Sequence, residues 1–131
     1  RACELRLTVD PHSAKHLCLH MAESEGEAFK IEYDVEFQVL RTDRSIAGYP
    51  MGKNGTPEEK PYREAILPLK DGKLDLRIFL DTSSIEVFAA DGTVSMSALF
   101  FPRGSADRLS VSSDDGSASF SLTIWDIIAK E

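Results

Sequence analysis

Residues 74–102 read LDLRIFLDTSSIEVFAADGTVSMSALFFP. Leu74, Leu76, Ile78 and Leu80 alternate with Asp75, Arg77, Phe79 and Asp81, the period of two expected of a strand with one face in a core. Asp81-Thr82-Ser83-Ser84 is a turn. Ile85 and Val87 open a second strand. Asp91-Gly92 is a hairpin turn, and Val94, Met96, Ala98 and Phe100 form a third strand. Asp-Gly between alternating apolar runs is a strong hairpin signal.

The same alternation extends outward. Cys3, Leu5, Leu7 and Val9 mark a first strand, and Asp10-Pro11-His12-Ser13 a turn. Leu17, Leu19 and Met21 mark a second strand. Phe29 to Val39 keeps the pattern, with a turn or bulge expected near Tyr33-Asp34. Residues 42–61, with Gly48, Gly52, Gly55, Pro50, Pro57 and Pro61, lose all period and read as a long loop, of a kind that is often functional. Arg63 to Leu69 resumes a strand, and Lys70-Asp71-Gly72-Lys73 is a turn. Arg103-Gly104-Ser105-Ala106 reads as a loop. Leu109 and Val111, then Phe120, Leu122 and Ile124, give the last strands around an Asp114-Asp115-Gly116 turn. About ten short strands at this spacing predict an all-β chain. The expected fold is a two-sheet antiparallel β-sandwich, jelly-roll or concanavalin-like, forming one domain over 1–131.

The bulk composition agrees with such a domain. The chain has 131 residues, 42% of them apolar and 28% charged, which is too apolar for disorder. A net charge of −7 argues against nucleic acid and against anionic membrane surfaces. No apolar run approaches the ~20 residues of a membrane span. The opening at Arg1, directly in a strand pattern, suggests a piece cut from a longer protein and leaves its compartment open. Cys3 shares a face with Leu5 and Leu7, and Cys18 with His16 and His20, so unpaired thiols are expected in preference to a bridge.

The ordered run L-x-I-F-L-D-x-S-S-I-E-V-F, the D-G turn and the strand ending in F-F-P resemble the C-terminal β-sandwich of glycoside hydrolase family 32. That family includes invertases, inulinases and levanases, and the related family 66 modules bind fructans. Trp125 near the chain end is similar to the aromatic that commonly ends the family's final strand. Thr42-Asp43-Arg44-Ser45 resembles the family's D-R-S/T segment, and Arg63-Glu64-Ala65 its R-x-A-P-L segment. Thr82 stands where the family often carries Arg. Family catalysis uses two carboxylates on a separate N-terminal propeller, in motifs resembling W-M-N-D-P-N-G, R-D-P and E-C. None occurs here, since Val9 precedes Asp10-Pro11 and Cys3-Glu4 reverses the last motif. The resemblance implies no catalytic residue and no cofactor in this chain.

It does imply a sugar site at Asp43, Arg44, Arg63, Asp81 and Glu86. Carboxylate acceptors and guanidinium donors suit sugar hydroxyls, and Asp81 and Glu86, at two ends of one turn, are expected to converge. The competing reading makes Asp81, Ser83 and Ser84 turn-formers and Arg44, Arg63 and Glu86 a packing network. His12, His16 and His20 are four apart. On a strand His16 and His20 stand roughly 13 Å apart, too far to share a metal, and no metal site is expected. Asn54-Gly55-Thr56 matches a glycosylation sequon but reads as a turn. Tyr49, Tyr62 and Trp125 are candidates for sugar stacking, with Trp125 better placed as core or docking surface.

Three functions follow as expectations. The first is a non-catalytic module of a β-fructosidase acting on sucrose, inulin or levan. Its partner is the catalytic propeller, and an apolar patch should mark the docking side. The second is a carbohydrate-binding module for the terminal fructose of fructans. The third is an unrelated lectin-like sandwich.

Overall fold

The computed structural model describes residues 2–89, 91–102 and 108–127. The loop expected at Arg103 to Ala106 lies outside the described residues. Ten strands follow in order: β1 Cys3–Asp10, β2 His16–Ser24, β3 Glu27–Asp34, β4 Val39–Ile46, β5 Tyr62–Ile66, β6 Leu74–Leu80, β7 Ser84–Ala89, β8 Ser95–Leu99, β9 Arg108–Asp114 and β10 Ser119–Asp126. They form two five-stranded antiparallel sheets, ordered β10-β1-β6-β7-β8 and β5-β4-β3-β2-β9. This is the sandwich the alternation predicts.

The core is the set of residues that the period of two places on the inner faces. Leu5, Leu7, Val9, Leu76, Ile78, Ile85 and Val87 of the first sheet meet Leu17, Leu19, Met21, Phe29, Ile31, Tyr33 and Leu40 of the second, all nearly fully buried. Each such side chain contributes about 1.5–3 kcal/mol of burial. Tyr33 spends its buried hydroxyl on the Leu67 carbonyl, so its polar tip is satisfied. Burial pushes the Tyr33 phenol up to about 12, with Asp34 adding to the shift.

Turn chemistry accounts for several connections. Asp71 and Gly72 have φ of 52° and 75°. Two successive positive φ values are what a two-residue hairpin turn requires. Asp91 Oδ1 accepts from the Thr93 backbone N–H at 3.0 Å and from its hydroxyl at 2.7 Å. Asn54 at φ 58° lies in a short 3-10 turn over Lys53–Gly55, as the turn reading of that segment expects.

Three boundaries differ from the sequence reading. The turn after β3 occupies 35–38, so Val35 and Phe37 are not strand residues. The first residues of the aperiodic segment, 42–46, belong to β4, which leaves 47–61 as the loop. β5 ends at Ile66, short of Leu69. The polar stretch Thr42-Asp43-Arg44-Ser45 conceals β4 because its inner face closes on Thr42 and Arg44 and carries no aliphatic there. No disulfide joins Cys3 and Cys18, and both thiols are half-buried.

On the outer face of the first sheet, Arg6 donates from Nε and Nη2 to the two Asp75 oxygens at 2.9 and 2.8 Å. These hydrogen bonds hold the Asp75 carboxyl below its ordinary range. A depressed folded pKa gives stability that is present above the unfolded carboxylate pKa and is lost as pH falls through the folded value. Asp75→Asn is therefore expected to cost a little stability at neutral pH. The gap from the wild type should close as pH falls below the carboxylate range. Urea titrations at neutral and acid pH check this, and an unchanging gap would refute it.

Candidate functional site

An open groove of about 1200 Å³ runs between the edge strands β5 and β8. β4 and β5 form one wall, and β7 and β8 the other. Phe29, Ile85, Met96 and Ala98 supply an apolar floor, while Ser84, Ser95 and Ser97 line the β7–β8 side. Edge strands lack a neighbour on one side, and the inner-face residues Ala65 and Ala98 here stay only partly buried, above the covered Phe29 and Ile85.

The register decides which candidates enter. Thr42 pairs with Arg63, so Arg63 sits on the same face as Thr42 and Arg44. Arg44 is tied in place. Its Nε and Nη2 donate to the Glu58 oxygens at 2.7 and 3.1 Å, and Nη1 donates to the Leu99 carbonyl at 2.7 Å. A forked guanidinium on a carboxylate is strongly directional, and here it joins β4, the loop and the end of β8. Arg63 and Glu86 also line the groove, are exposed, and make no side-chain hydrogen bond or ion pair among the described residues. Lys60 and Arg41 stand over the Tyr62 ring at 5.7 and 4.0 Å.

Asp43 and Asp81 lie elsewhere. The alternation turns Asp43 to the outer face of β4, where it is 8% exposed. Its Oδ1 accepts from the Ser45 backbone N–H at 2.8 Å, and Lys30 Nζ lies 3.7 Å from its other oxygen. Asp81 is exposed and accepts from the Thr82 backbone N–H at 2.7 Å, the local bond that turn-forming aspartates make. It does not line the groove with Glu86. Sequence reasoning missed Glu58. Nothing periodic marks it, and only its charge complementarity to Arg44 hints at the pair.

The groove is bordered by an unengaged donor, an unengaged acceptor, serine hydroxyls and an aromatic ring: Arg63 shares the inner face with Thr42, whereas Tyr62, Glu86, Ser95 and Ser97 alternate with inner-face residues and border it from the outer side of their sheets. That set suits a ligand with both hydroxyls and a C–H face. The aromatics expected to stack do not assemble: Tyr62 lines the groove, but Trp125 lies on β10 at the opposite edge of its sheet, 48% exposed.

The other flank is apolar. Phe120, Leu122 and Ile124 of β10 pair with Val9, Leu7 and Leu5 and so face inward. Phe120 and Ile124 nonetheless remain 53% and 52% exposed. Leu109 and Val111 of β9 are only partly buried beside the core.

Comparison with known proteins agrees with this architecture. A family model described as "Glycosyl hydrolases family 32 C terminal" matches residues 1–126. The chain is 34% identical over 119 residues to a levanase of Bacillus subtilis (strain 168), covering 88% of this chain and 17% of the levanase. It is 30% identical over 124 residues to a sucrose-6-phosphate hydrolase of Staphylococcus xylosus, covering 95% of this chain and 24% of that protein. Among solved structures, an exo-inulinase from Aspergillus awamori superposes with a TM-score of 0.84 at 24% identity, over 98% of this chain and 25% of the inulinase. With a sandwich of this topology and a family match across nearly its whole length, the chain belongs to the C-terminal module family of the family 32 glycosyl hydrolases.

Proposed function

We propose that this chain is the non-catalytic β-sandwich of a β-fructosidase that acts on sucrose, inulin or levan, and that it packs against and stabilises the catalytic propeller of the parent. The carrying observation is the apolar flank. Phe120 and Ile124 point inward by register yet stay half-exposed. Apolar side chains clustered at one open edge mark a surface that a partner covers. The occupant is the rest of the parent, because the chain spans only 17–24% of those two hydrolases. The module contributes no group to bond cleavage. Its part is to lower the free energy of the folded propeller by binding it.

The test expresses this chain and the parent's propeller as separate polypeptides. A one-to-one complex and a raised propeller melting temperature are expected. Ile124→Asp should weaken the complex by about tenfold or more, as a buried charge at an interface centre does. Failure of the two wild-type pieces to associate would overturn the reading.

A second reading, a fructan-binding module, is favoured by the unengaged Arg63 and Glu86 in one groove. On it, calorimetric titration with levan, inulin and fructose should show binding that Arg63→Ala abolishes and Asp81→Ala spares. Equal heats for the wild type and Arg63→Ala would exclude this groove.

A further inference from the structure

The outer face of the second sheet carries a feature that neither reading uses. The registers align Ser112, Cys18, Glu32, Arg41 and Glu64 in one row, each paired with the next across all five strands. The row spans roughly 19 Å, from four inter-strand gaps of about 4.8 Å. Its small members, Ser112 and Cys18, lie among larger side chains, and the row becomes a trough. The trough is a depression of about 540 Å³ that all five residues line, with Phe37 and Val39 among its other walls. That volume lies within the range of about 300–1,000 Å³ for small-ligand sites.

Its chemistry is mixed along its length. Glu32 and Glu64 are acceptors, Arg41 is a donor, and Ser112 and His16 are both. Arg41 Cζ lies 4.0 Å from the centre of the Tyr62 ring, with Nε 3.3 Å from a Glu64 oxygen. That nitrogen is buried and makes no well-directed hydrogen bond, and the two Nη groups make none among the described residues. The guanidinium is therefore held in position by the Tyr62 ring and the Glu64 carboxylate, with its Nη donors free of hydrogen bonds. Burial and the neighbouring Glu32 push the Cys18 thiol up to about 11, so it is a neutral floor to the trough. Phe37, in the turn after β3, is 70% exposed. A metal is the poorer match, because among the described residues no three His, Cys, Asp or Glu side chains are grouped to hold one.

We propose that this trough binds a neutral linear oligosaccharide laid across the strands. Sugar hydroxyls both donate and accept, which matches a row of alternating acceptors and donors. Exposed Phe37 offers the flat apolar surface on which a ring's C–H face rests. The trough's length accommodates about four linked rings, given the strand spacing. The trough meets the groove of Arg63 and Glu86 at the β5 edge, where both are lined by Glu64, but its other row members lie outside that groove, and it is independent of docking through β10.

The test is an amide NMR titration of this chain, whose ten strands enclose a core of their own. Inulin-derived and levan-derived tetrasaccharides are the probes, with cellotetraose and maltotetraose to define which glycans are taken. Saturable shifts at Cys18, Glu32, Arg41, Glu64 and Phe37 are expected, at the millimolar affinity of a shallow site. Phe37→Ala and Arg41→Ala should each weaken binding by about fivefold or more. The spectra themselves report whether each variant is folded, and Phe37→Ala removes no core contact. Absence of saturable shifts with all four sugars, shifts confined to β7 and β8, or unchanged affinity in both variants would overturn the proposal.

Discussion

Phe29→Ala is expected to destabilise the fold by about 3–5 kcal/mol, the cost of removing a buried aromatic ring and leaving part of its space empty. Phe29 lies on β3 and is 1% exposed, as is Phe100 just past β8. Their ring centroids are 5.1 Å apart with planes inclined at 39°, within the range of favourable aromatic pairs. The pair joins the second sheet to the end of the first. Urea unfolding should show a lower midpoint with little change in slope. A loss below about 1 kcal/mol would mean that the ring is not a core element. Because Phe29 also floors the groove, the same variant should perturb ligand contacts there.

Gly48→Ala is expected to cost about 2–4 kcal/mol, from about 1–3 for a side chain forced to positive φ and about 1 for a lost hydrogen bond. Gly48 has φ +90° and lies so close to Phe101 that a Cβ would overlap the Phe101 carbonyl and Pro102. Both neighbours are backbone and cannot swing aside. The Gly48–Phe101 bridge and the bond from the Tyr49 N–H to the Phe101 carbonyl, at 3.0 Å, would have to open. That bridge fastens the 47–61 loop beside the strand end where Arg44 holds the Leu99 carbonyl. Hydrogen exchange should therefore accelerate first at Tyr49 and the neighbouring loop amides, before global unfolding. Unchanged exchange there, with wild-type stability, would refute the account.

The alternation in Leu74 to Leu80 sufficed to place β6 and its inner face, because a period of two is a property of one short segment. The turns at Asp71-Gly72 and Asp91-Gly92 were legible for a similar reason: local backbone geometry demands those residues. The family was legible too, since a long ordered run of such strands and turns is itself local text. Thr42-Asp43-Arg44-Ser45 failed as a strand signal because Arg44 occupies an inner-face position that only its Glu58 and Leu99 partners make tolerable.

The site's composition was another matter. Asp43 and Arg44 are adjacent in sequence, yet the pleat sends one to the outer face beside Lys30 and the other toward the groove. Asp81 and Glu86 are five positions apart and still do not share a depression. The row from Ser112 to Glu64 brings together residues from five strands, and no stretch of sequence contains it. By itself, the sequence determined the strands, the buried face of most of them and the family. Tertiary structure alone decided which polar residues meet, because pairing register and sheet order are long-range, and a shift of one residue would send every side chain of a strand to the other face.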